Sequence, residues 1–392
     1  MRTAIVVGAG IGGVTAAVAL EQCGWQVTVL ERAAELGEVG AGISVWPGAA
    51  AVLEELGVEG IAKAARLGEA AGMRRWDGRW IVEAAELGIE LPVMLHRTQL
   101  HQLITDRLGP AVTIHTGTTV TGLTQDADGV TVTATGARLA GAGADGAGLG
   151  RVEPGAAGAG GVGSGSAEYR AELVVGADGI RSVVRGLLAP GYKGPRYSGY
   201  TAYRGIAELE VEDSGGETWG RGQRFGFAKM IDGRIYWYSA VNREPGGPDD
   251  DVRALFADWH EPIPALLAAT PAVLRNDIYD LQTPLLPFVH GRVLLLGDAA
   301  HAMTPNMGRG ACSAIEDAGA LARVLRAGDD LSAYDAERRP ATTKLVKRSR
   351  QIGVLGQLDS KLACTLRDAV LAAGGKAAGL LAKRKRVEQS RV

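Results

Sequence analysis

The chain has 392 residues, 46% hydrophobic and 22% charged, the balance of an ordinary globular protein of two or three domains. A formal net charge of −2 gives no reason to expect nucleic acid or an anionic membrane as partner. Cys23, Cys312 and Cys364 are scattered without metal-ligand spacing, so no metal site is expected, and the reduced thiols of a cytoplasmic chain are the simplest reading.

In chain order, Thr3–Val7 is a short apolar, β-branched run, the pattern of a buried parallel strand rather than an export signal. Ile11–Gln22 carries helix-forming alanines and a leucine, and Cys23-Gly24 supplies the stop. Gln26–Leu30 is a second β-branched strand. A parallel pair with a crossover helix is right-handed almost without exception, so this opening predicts an α/β sheet. After a glycine-rich link from Val39 to Ser44, a helix is predicted over Pro47–Leu56. Met73–Glu83 alternates as a strand pair turning at Asp77-Gly78. Arg97–Leu108 reads as a helix with Leu100, Leu103 and Ile104 on one side. Val112–Ile114, Thr118–Thr124 and Val130–Thr135 look like short antiparallel strands, the last two joined at Asp128-Gly129.

Between Gly136 and Ser166 the composition collapses to glycine and alanine. With almost no large apolar side chain, such a segment does not bury enough surface to offset its ordering entropy. It is expected to be a mobile surface insertion, an expanded hairpin loop without chemistry. Order returns at Ala171–Gly176, a strand ending in Ala177-Asp178-Gly179, with a helix from about Arg181. Tyr200–Val211, Arg224–Met230 and Ile235–Val241 are strand-like and aromatic, an antiparallel sheet distinct from the nucleotide fold. Asp250–Trp259 and Gly310–Leu325 read as helices, Val293–Leu296 as a strand, and the chain from Leu331 as mostly helical. No stretch approaches the ~20 uninterrupted apolar residues of a spanning helix. The basic run Lys383-Arg384-Lys385-Arg386 can touch an anionic surface, although a solvated helix end is the commoner reason for such a run.

Chemistry enters with Gly8-Ala9-Gly10-Ile11-Gly12-Gly13, set between the first strand and the first helix. Gly8 permits the tight turn, Gly10 lets backbone approach a pyrophosphate, and Gly13 allows close helix–strand packing. The helix start aims unpaired N–H groups and a positive dipole end at phosphates. Glu31 closes the second strand ~20 residues on, where an acid accepts bonds from ribose hydroxyls. These residues predict a dinucleotide site. Two further stretches of similar character lie far downstream. One is Val174–Gly179 with Arg181-Ser182; the other is Gly297-Asp298-Ala299-Ala300-His301, continuing as Thr304-Pro305-Asn306-Met307-Gly308-Arg309-Gly310. Asp298 ends a buried strand, where a carboxylate can bind a ribityl hydroxyl. Gly308 and Gly310 open a helix whose amides can face negative charge on an isoalloxazine. Three separated contact regions suit a long cofactor such as FAD.

The glycine triplet with Glu31-Arg32, the stretch Val174–Arg181 and the stretch Gly297–Gly310 resemble, in their order along the chain, the FAD-dependent aromatic hydroxylases, or group A flavin monooxygenases. Val39–Pro47, with Ser44 and Trp46, and Tyr203-Arg204-Gly205 are similar to the branch of salicylate- and urate-type hydroxylases. The expected fold is α/β: a Rossmann-like FAD-binding domain with an interleaved antiparallel β-sheet substrate domain and C-terminal helices. Residues 1–72, 96–190 and 280–345 are expected to form the first, with 136–166 inserted. Residues 73–95 and 191–279 are expected to form the second, and 346–392 a C-terminal helical tail.

Carried onto this chain, the resemblance implies FAD contacts at Gly12, Glu31, Arg32 and Ser44, and at Arg97 near the pyrophosphate or ribityl chain. Val120 would lie beside the adenine, Asp178 would serve flavin binding and nicotinamide-linked reduction, and Asp298 would bind the ribityl chain. Pro305, Gly308, Arg309, Gly310, Ala311 and Cys312 would form the loop under the N1–C2=O edge. The implied enzyme consumes NADPH or NADH and O2, and hydroxylates or epoxidises a small aromatic, heteroaromatic or other unsaturated molecule through a flavin C4a-hydroperoxide. Arg204, Tyr238 and Asn306 are the candidates at the substrate. An arginine over the flavin can hold a carboxylate or enolate. Asn306 stands where urate-acting relatives carry an acid, a departure that argues against urate. The alternatives are a halogenase or prenyl reductase on the same fold, and a non-catalytic flavin redox sensor. The Trp-x-Trp-x-Ile-Pro segment of halogenases is missing from the sequence. A monomer or homodimer without nucleic-acid or membrane partner completes the expectation.

Overall fold

The computed structural model describes residues 1–37, 41–61, 72–83, 92–136, 165–212, 215–248 and 251–389. The body of the glycine- and alanine-rich insertion and the Val39-Gly40 part of the link lie outside these residues.

A six-stranded sheet runs in the order Val289–His290, Val293–Leu295, Leu173–Gly176, Thr3–Val7, Gln26–Leu30, Val112–His115. Every neighbouring pair is parallel except the antiparallel edge pair Val289–His290 and Val293–Leu295. The inner strands Thr3–Val7, Leu173–Gly176 and Val293–Leu295 read as nearly unbroken apolar runs because both faces are covered: Ile5, Val6, Val174, Val175 and Leu294 are all buried. Val7 stands beside both Leu30 and Gly176, and Gly176 beside Leu295. The strands leading to Gly8, Glu31, Ala177-Asp178 and Gly297-Asp298 therefore end at one edge, where open α/β sheets bind ligands. The helices Ile11–Gln22 and Gly310–Ala327 pack together on this sheet. Gly12 permits the approach, since a Cβ there would fall 2.9 Å from Leu296 and 3.0 Å from Ala314.

Val112–His115 departs from expectation. It lies parallel to Gln26–Leu30 instead of antiparallel to its successor, because the Arg97–Thr105 helix carries the chain back before it enters the sheet. Thr118–Gln125, Val130–Gly136 and Ser166–Ala171 form a separate three-stranded antiparallel sheet. Ser166–Ala171 was not anticipated as a strand. Ser166 stands opposite Thr135 and Ala171 opposite Val130, so the insertion joins two strands already paired.

The seven-stranded sheet has the order Val273–Leu281, Pro195–Ala207, Ile235–Asn242, Gln223–Lys229, Gly215–Trp219, Gly72–Arg75, Trp80–Glu83. It is antiparallel except where Gly215–Trp219 meets Gly72–Arg75. Strand alternation gives it two characters. Tyr203, Phe225, Phe227 and Trp237 face one way, onto Phe256, Ile263, Leu266 and Leu267. The helix expected over Asp250–Trp259 spans only Val252–Leu255, ending where Phe256 turns into this core. Arg204, Tyr236, Tyr238, Glu217 and Arg224 face the other way. Against that face leans a two-stranded sheet, Gly42–Val45 with Val93–His96, where the Tyr236 ring occupies the space a Cβ of Gly42 would need. Val93–His96 thus belongs to this small sheet and not to the large one. The helix Leu331–Gly356 runs unbroken past residue 346, where the expected tail begins, and is followed by Lys361–Gln389.

Candidate flavin and substrate site

At the glycine loop, sterics dictate the residue type. Gly8 has φ +100°, and a Cβ would fall 2.6 Å from Ala177 O; a Cβ on Gly13 would run into Gly8 O. Gly10 is the N-cap of the first helix, which has no side-chain cap and no acid in its first turn. Its leading amides therefore suit an anionic group. The Glu31 carboxylate accepts from Ala9 N at 2.7 Å and from Ala33 N at 2.8 Å, fixing the loop to the end of the second strand. Arg32 beside it is exposed. Thr118 N donates to Glu31 O at 2.8 Å, which brings buried Val120 close behind. Buried His101, unforeseen from the sequence, bonds Ala9 O at 2.7 Å from the Arg97–Thr105 helix. Arg97 is half-buried at the start of that helix, its N–H donating to Ala41 O at 2.8 Å.

The next two strand ends are braced from behind. The Asp178 carboxylate accepts from Ser182 Oγ at 2.5 Å and from Val183 N and Val184 N at 2.6 and 3.1 Å, capping its own short helix. Buried Arg185 donates to Ile180 O at 2.6 Å and Ala299 O at 2.8 Å, tying the Asp178 turn to the Asp298 turn. Asp298 is exposed and follows Gly297 at φ +61°. Behind it, fully buried Asp317 accepts from Gly297 N at 3.0 Å, His301 Nε2 at 2.6 Å and Arg338 Nε at 2.6 Å. Burial pushes the Asp317 carboxyl up, but His301, Arg338 and the Gly297 amide outweigh it and hold the group below the ordinary value. Neither Arg185 nor Asp317 announces itself in sequence, because the partners are more than a hundred and about twenty residues away.

The third region is the turn Pro305–Met307 and the helix start beyond it. Gly308 has φ +58°, and a Cβ there would fall 2.9 Å from Ser44 Oγ. Cys312 Sγ donates to Ser44 O at 3.1 Å and accepts from Trp46 N at 3.4 Å. Burial pushes its thiol up to about 11, which makes it a packing group and not a nucleophile. Arg309 pairs with Glu316 at 2.7 Å and lies over the Trp46 ring. Gly310 and Ala311 open an 18-residue helix with no side-chain cap, and a Cβ on Gly310 would meet nothing within 4 Å. Trp46 Nε1 is buried without a partner beside Gly308. An unsatisfied donor, an uncapped helix start and a side-chain-free gap together fit the polar edge of a flavin ring.

Facing this loop, strand register aligns Glu217, Gly226, Tyr238 and Arg204 in one row across four strands. The Tyr238 ring lies over Gly226, where a Cβ would clash with it. Burial pushes the Tyr238 hydroxyl well above its ordinary value, and the Glu217 carboxylate to which it bonds adds to this. Glu217 pairs with Arg224 at 3.2 Å, and Arg204 Nη1 donates to Asn276 Oδ1 at 2.6 Å. Arg224 is almost wholly buried, lies over the Tyr200 ring and donates to Asn306 Oδ1. Asn306 also accepts from Tyr200 Oη at 3.1 Å and donates to Thr304 Oγ1 at 2.8 Å and Ser349 O at 2.7 Å. Its amide is thus occupied in linking the flavin loop to the large sheet and the Leu331–Gly356 helix. Glu217 and Arg224 were overlooked from the sequence. Alternation of Arg224, Gly226 and Ala228 with Phe225 and Phe227 is the signal that turns Arg224 from the core. Elsewhere, an open hollow of about 430 Å³ lined by His96, Thr98, Gln99, Gln102, Leu103 and Arg234 includes none of these groups.

Strand ends gathered round one groove, faced by a sheet carrying arginines and tyrosines, define a flavin-dependent oxidoreductase. The FAD binding domain family model matches residues 1–148 and 156–349. The chain belongs to the FAD-dependent aromatic hydroxylase family; it is a monooxygenase with FAD as cofactor, and NADH or NADPH is the family's usual electron donor. Aurachin C monooxygenase/isomerase of Stigmatella aurantiaca is 36% identical, over 94% of this chain and 93% of that protein. FAD-dependent urate hydroxylase of Klebsiella pneumoniae is 32% identical, over 89% of this chain and 88% of its own. The structure of Klebsiella pneumoniae HpxO complexed with FAD and uric acid shares 29% identity, with a TM-score of 0.77 over 97% of each chain.

Proposed function

We propose that the substrate is an electron-rich unsaturated ring bearing both an N–H or O–H donor and a carbonyl or ionised oxygen, to which one atom of O2 is transferred. The single observation behind this reading is the mixed polarity of the sheet row facing the flavin loop. Arg204 offers a cation to an enolate, carboxylate or carbonyl oxygen. Glu217 offers only acceptors, which suit a ring N–H or hydroxyl. Tyr238 stands between them and, with its hydroxyl held protonated, can pass a hydrogen bond either way.

Bound FAD supplies the redox and oxygen-activating chemistry. Glu31 and the uncapped Ile11–Gln22 helix hold its adenosine and pyrophosphate end in this reading, Asp298 its ribityl chain, and Ser44, Trp46 and Gly308–Cys312 its ring. The Gly310–Ala327 helix start stabilises negative charge on the ring's edge. Asn306 keeps the loop in contact with the large sheet, so that substrate and flavin share one water-poor space. Because Asn306 is neutral where the urate-type pattern has an acid, we read the ring as one other than urate. Both hydroxylation and epoxidation accord with the site. The three free cysteines support a cytoplasmic setting, with the chain acting as a monomer or homodimer.

The test is oxidation of NADH or NADPH under air across phenols, hydroxypyridines, quinolones and their N-methyl or O-methyl counterparts, with product masses under labelled O2. Faster oxidation and a single labelled oxygen, for donor-bearing members only, is the expected result. Flavin-loaded protein that shows no stimulation by any compound would overturn the reading. Equal stimulation by methylated counterparts would remove the role of Glu217 alone.

A further inference from the structure

Over residues 361–377, the helix Lys361–Gln389 uses one side to hold the rest of the molecule. Cys364 and Arg367 are buried, and Arg367 donates to Gly220 O at 3.4 Å and Leu355 O at 3.3 Å. Asp368 pairs with Arg75 at 3.7 Å. Gly375 lies on Val82, where a Cβ would fall 2.9 Å from the side chain, so the helix runs along the Trp80–Glu83 edge strand.

The opposite side is apolar and bare. Leu362, Leu366 and Val370 are 80%, 64% and 61% exposed, at four-residue spacing on one stripe. Ala369, Ala373 and Ala377 are exposed beside them. Val354 and Leu355, at the end of the preceding helix, are exposed as well. A water-facing helix normally places polar side chains here. The same helix continues through Lys383-Arg384-Lys385-Arg386, and no acidic residue occurs from Ala369 to Val387. In a chain of net charge −2, this is a concentrated positive block following an apolar stripe.

We propose that this helix docks the enzyme onto an anionic lipid surface. The Leu362–Leu366–Val370 stripe enters the boundary between headgroups and acyl chains, and the basic run meets the headgroup phosphates. Apolar side chains in line and cationic residues on one helix are what an interfacial helix requires. Among the described residues no helix is long and apolar enough to cross a membrane, so the contact lies along the surface and is reversible. A second copy of the chain fits less well. The stripe's few large side chains offer on the order of a few hundred Å², short of the roughly 800 Å² per partner that stable interfaces bury.

Cosedimentation of the full FAD-loaded chain with lipid vesicles tests this. Vesicles of equal parts phosphatidylcholine and phosphatidylglycerol should bind it ~10-fold or more tightly than phosphatidylcholine alone, and less so as salt is raised. The double variant Leu362→Glu/Leu366→Glu alters only exposed side chains. It should lose binding by ~10-fold or more while keeping its flavin and its NAD(P)H oxidation in solution. Changing Lys383, Arg384, Lys385 and Arg386 to Gln should abolish the preference for the anionic lipid. Equal binding to both vesicles, or binding that survives the leucine changes, would overturn the proposal. So would a dimer, seen by sedimentation equilibrium, that the leucine variant splits.

Discussion

Asp317 receives three donors, two from the Gly297–His301 turn and one from the Leu331–Gly356 helix, with no water-exposed surface of its own. Replacing it by Asn keeps the shape and removes the charge that offsets Arg338. Breaking a buried pair in this way costs about 3–5 kcal/mol. Urea unfolding of Asp317→Asn should show that loss near neutral pH. Because the carboxyl is held below its ordinary 3.8 in the folded chain, its contribution is present above that value and fades as pH falls through the lowered one. The gap between wild type and variant should therefore close in acid. Asp298 acts differently, being exposed at the groove. Asp298→Ala should leave the fold intact and weaken FAD retention by ~10-fold or more, as for loss of a hydrogen bond to a charged group; a fully yellow, active variant would remove its role. At this scale the sequence is legible where the reason for a residue is local. Gly8 and Gly13 are demanded by the backbone a few residues away. His101 and Arg185 act on Ala9 and Ala299, and nothing nearby in sequence marks them; for Arg224, which acts on Asn306, strand alternation marks the face but not the partner.

The elements were legible in kind more than in connection. Thr3–Val7, Ile11–Gln22 and Gln26–Leu30 fall where their apolar patterns indicate, since a buried strand and an alanine-rich helix differ in period. The direction of Val112–His115 was not legible, because a four-residue strand has the same pattern either way and its neighbour is decided by the crossover before it. Ser166–Ala171 was hidden because only Tyr169 in it is a large apolar residue. Contact between the first helix and the glycine turn yields the prediction at this scale. Gly13→Ala forces a methyl group into Gly8 O, and a rigid turn has no room to give. Urea titration should find a loss of about 3 kcal/mol or more, at the upper end for overpacking, with flavin fluorescence showing released cofactor.

Across the whole molecule, the helix Leu331–Gly356 is the fastening between the two large sheets. Arg338 reaches Asp317 behind the flavin groove, Ser349 reaches Thr304 and Asn306 on the flavin loop, and Arg350 pairs at 2.7 Å with buried Asp280 of the seven-stranded sheet. Flavin groove and facing sheet should therefore unfold together. FAD at about 100 times its dissociation constant should raise the stability of the whole by about 2.7 kcal/mol. Calorimetry should show one transition moving upward; two peaks, of which FAD shifts only one, would contradict this.

The ladder between Val130–Gly136 and Ser166–Ala171 has a practical consequence. Thr135 and Ser166 are already held opposite each other, so the fold specifies where the intervening peptide leaves and returns, and leaves its length free. For a flexible loop, each doubling of length costs only about 0.6 kcal/mol of closure entropy. The hairpin is therefore a natural port for grafting an epitope or a fluorescent reporter.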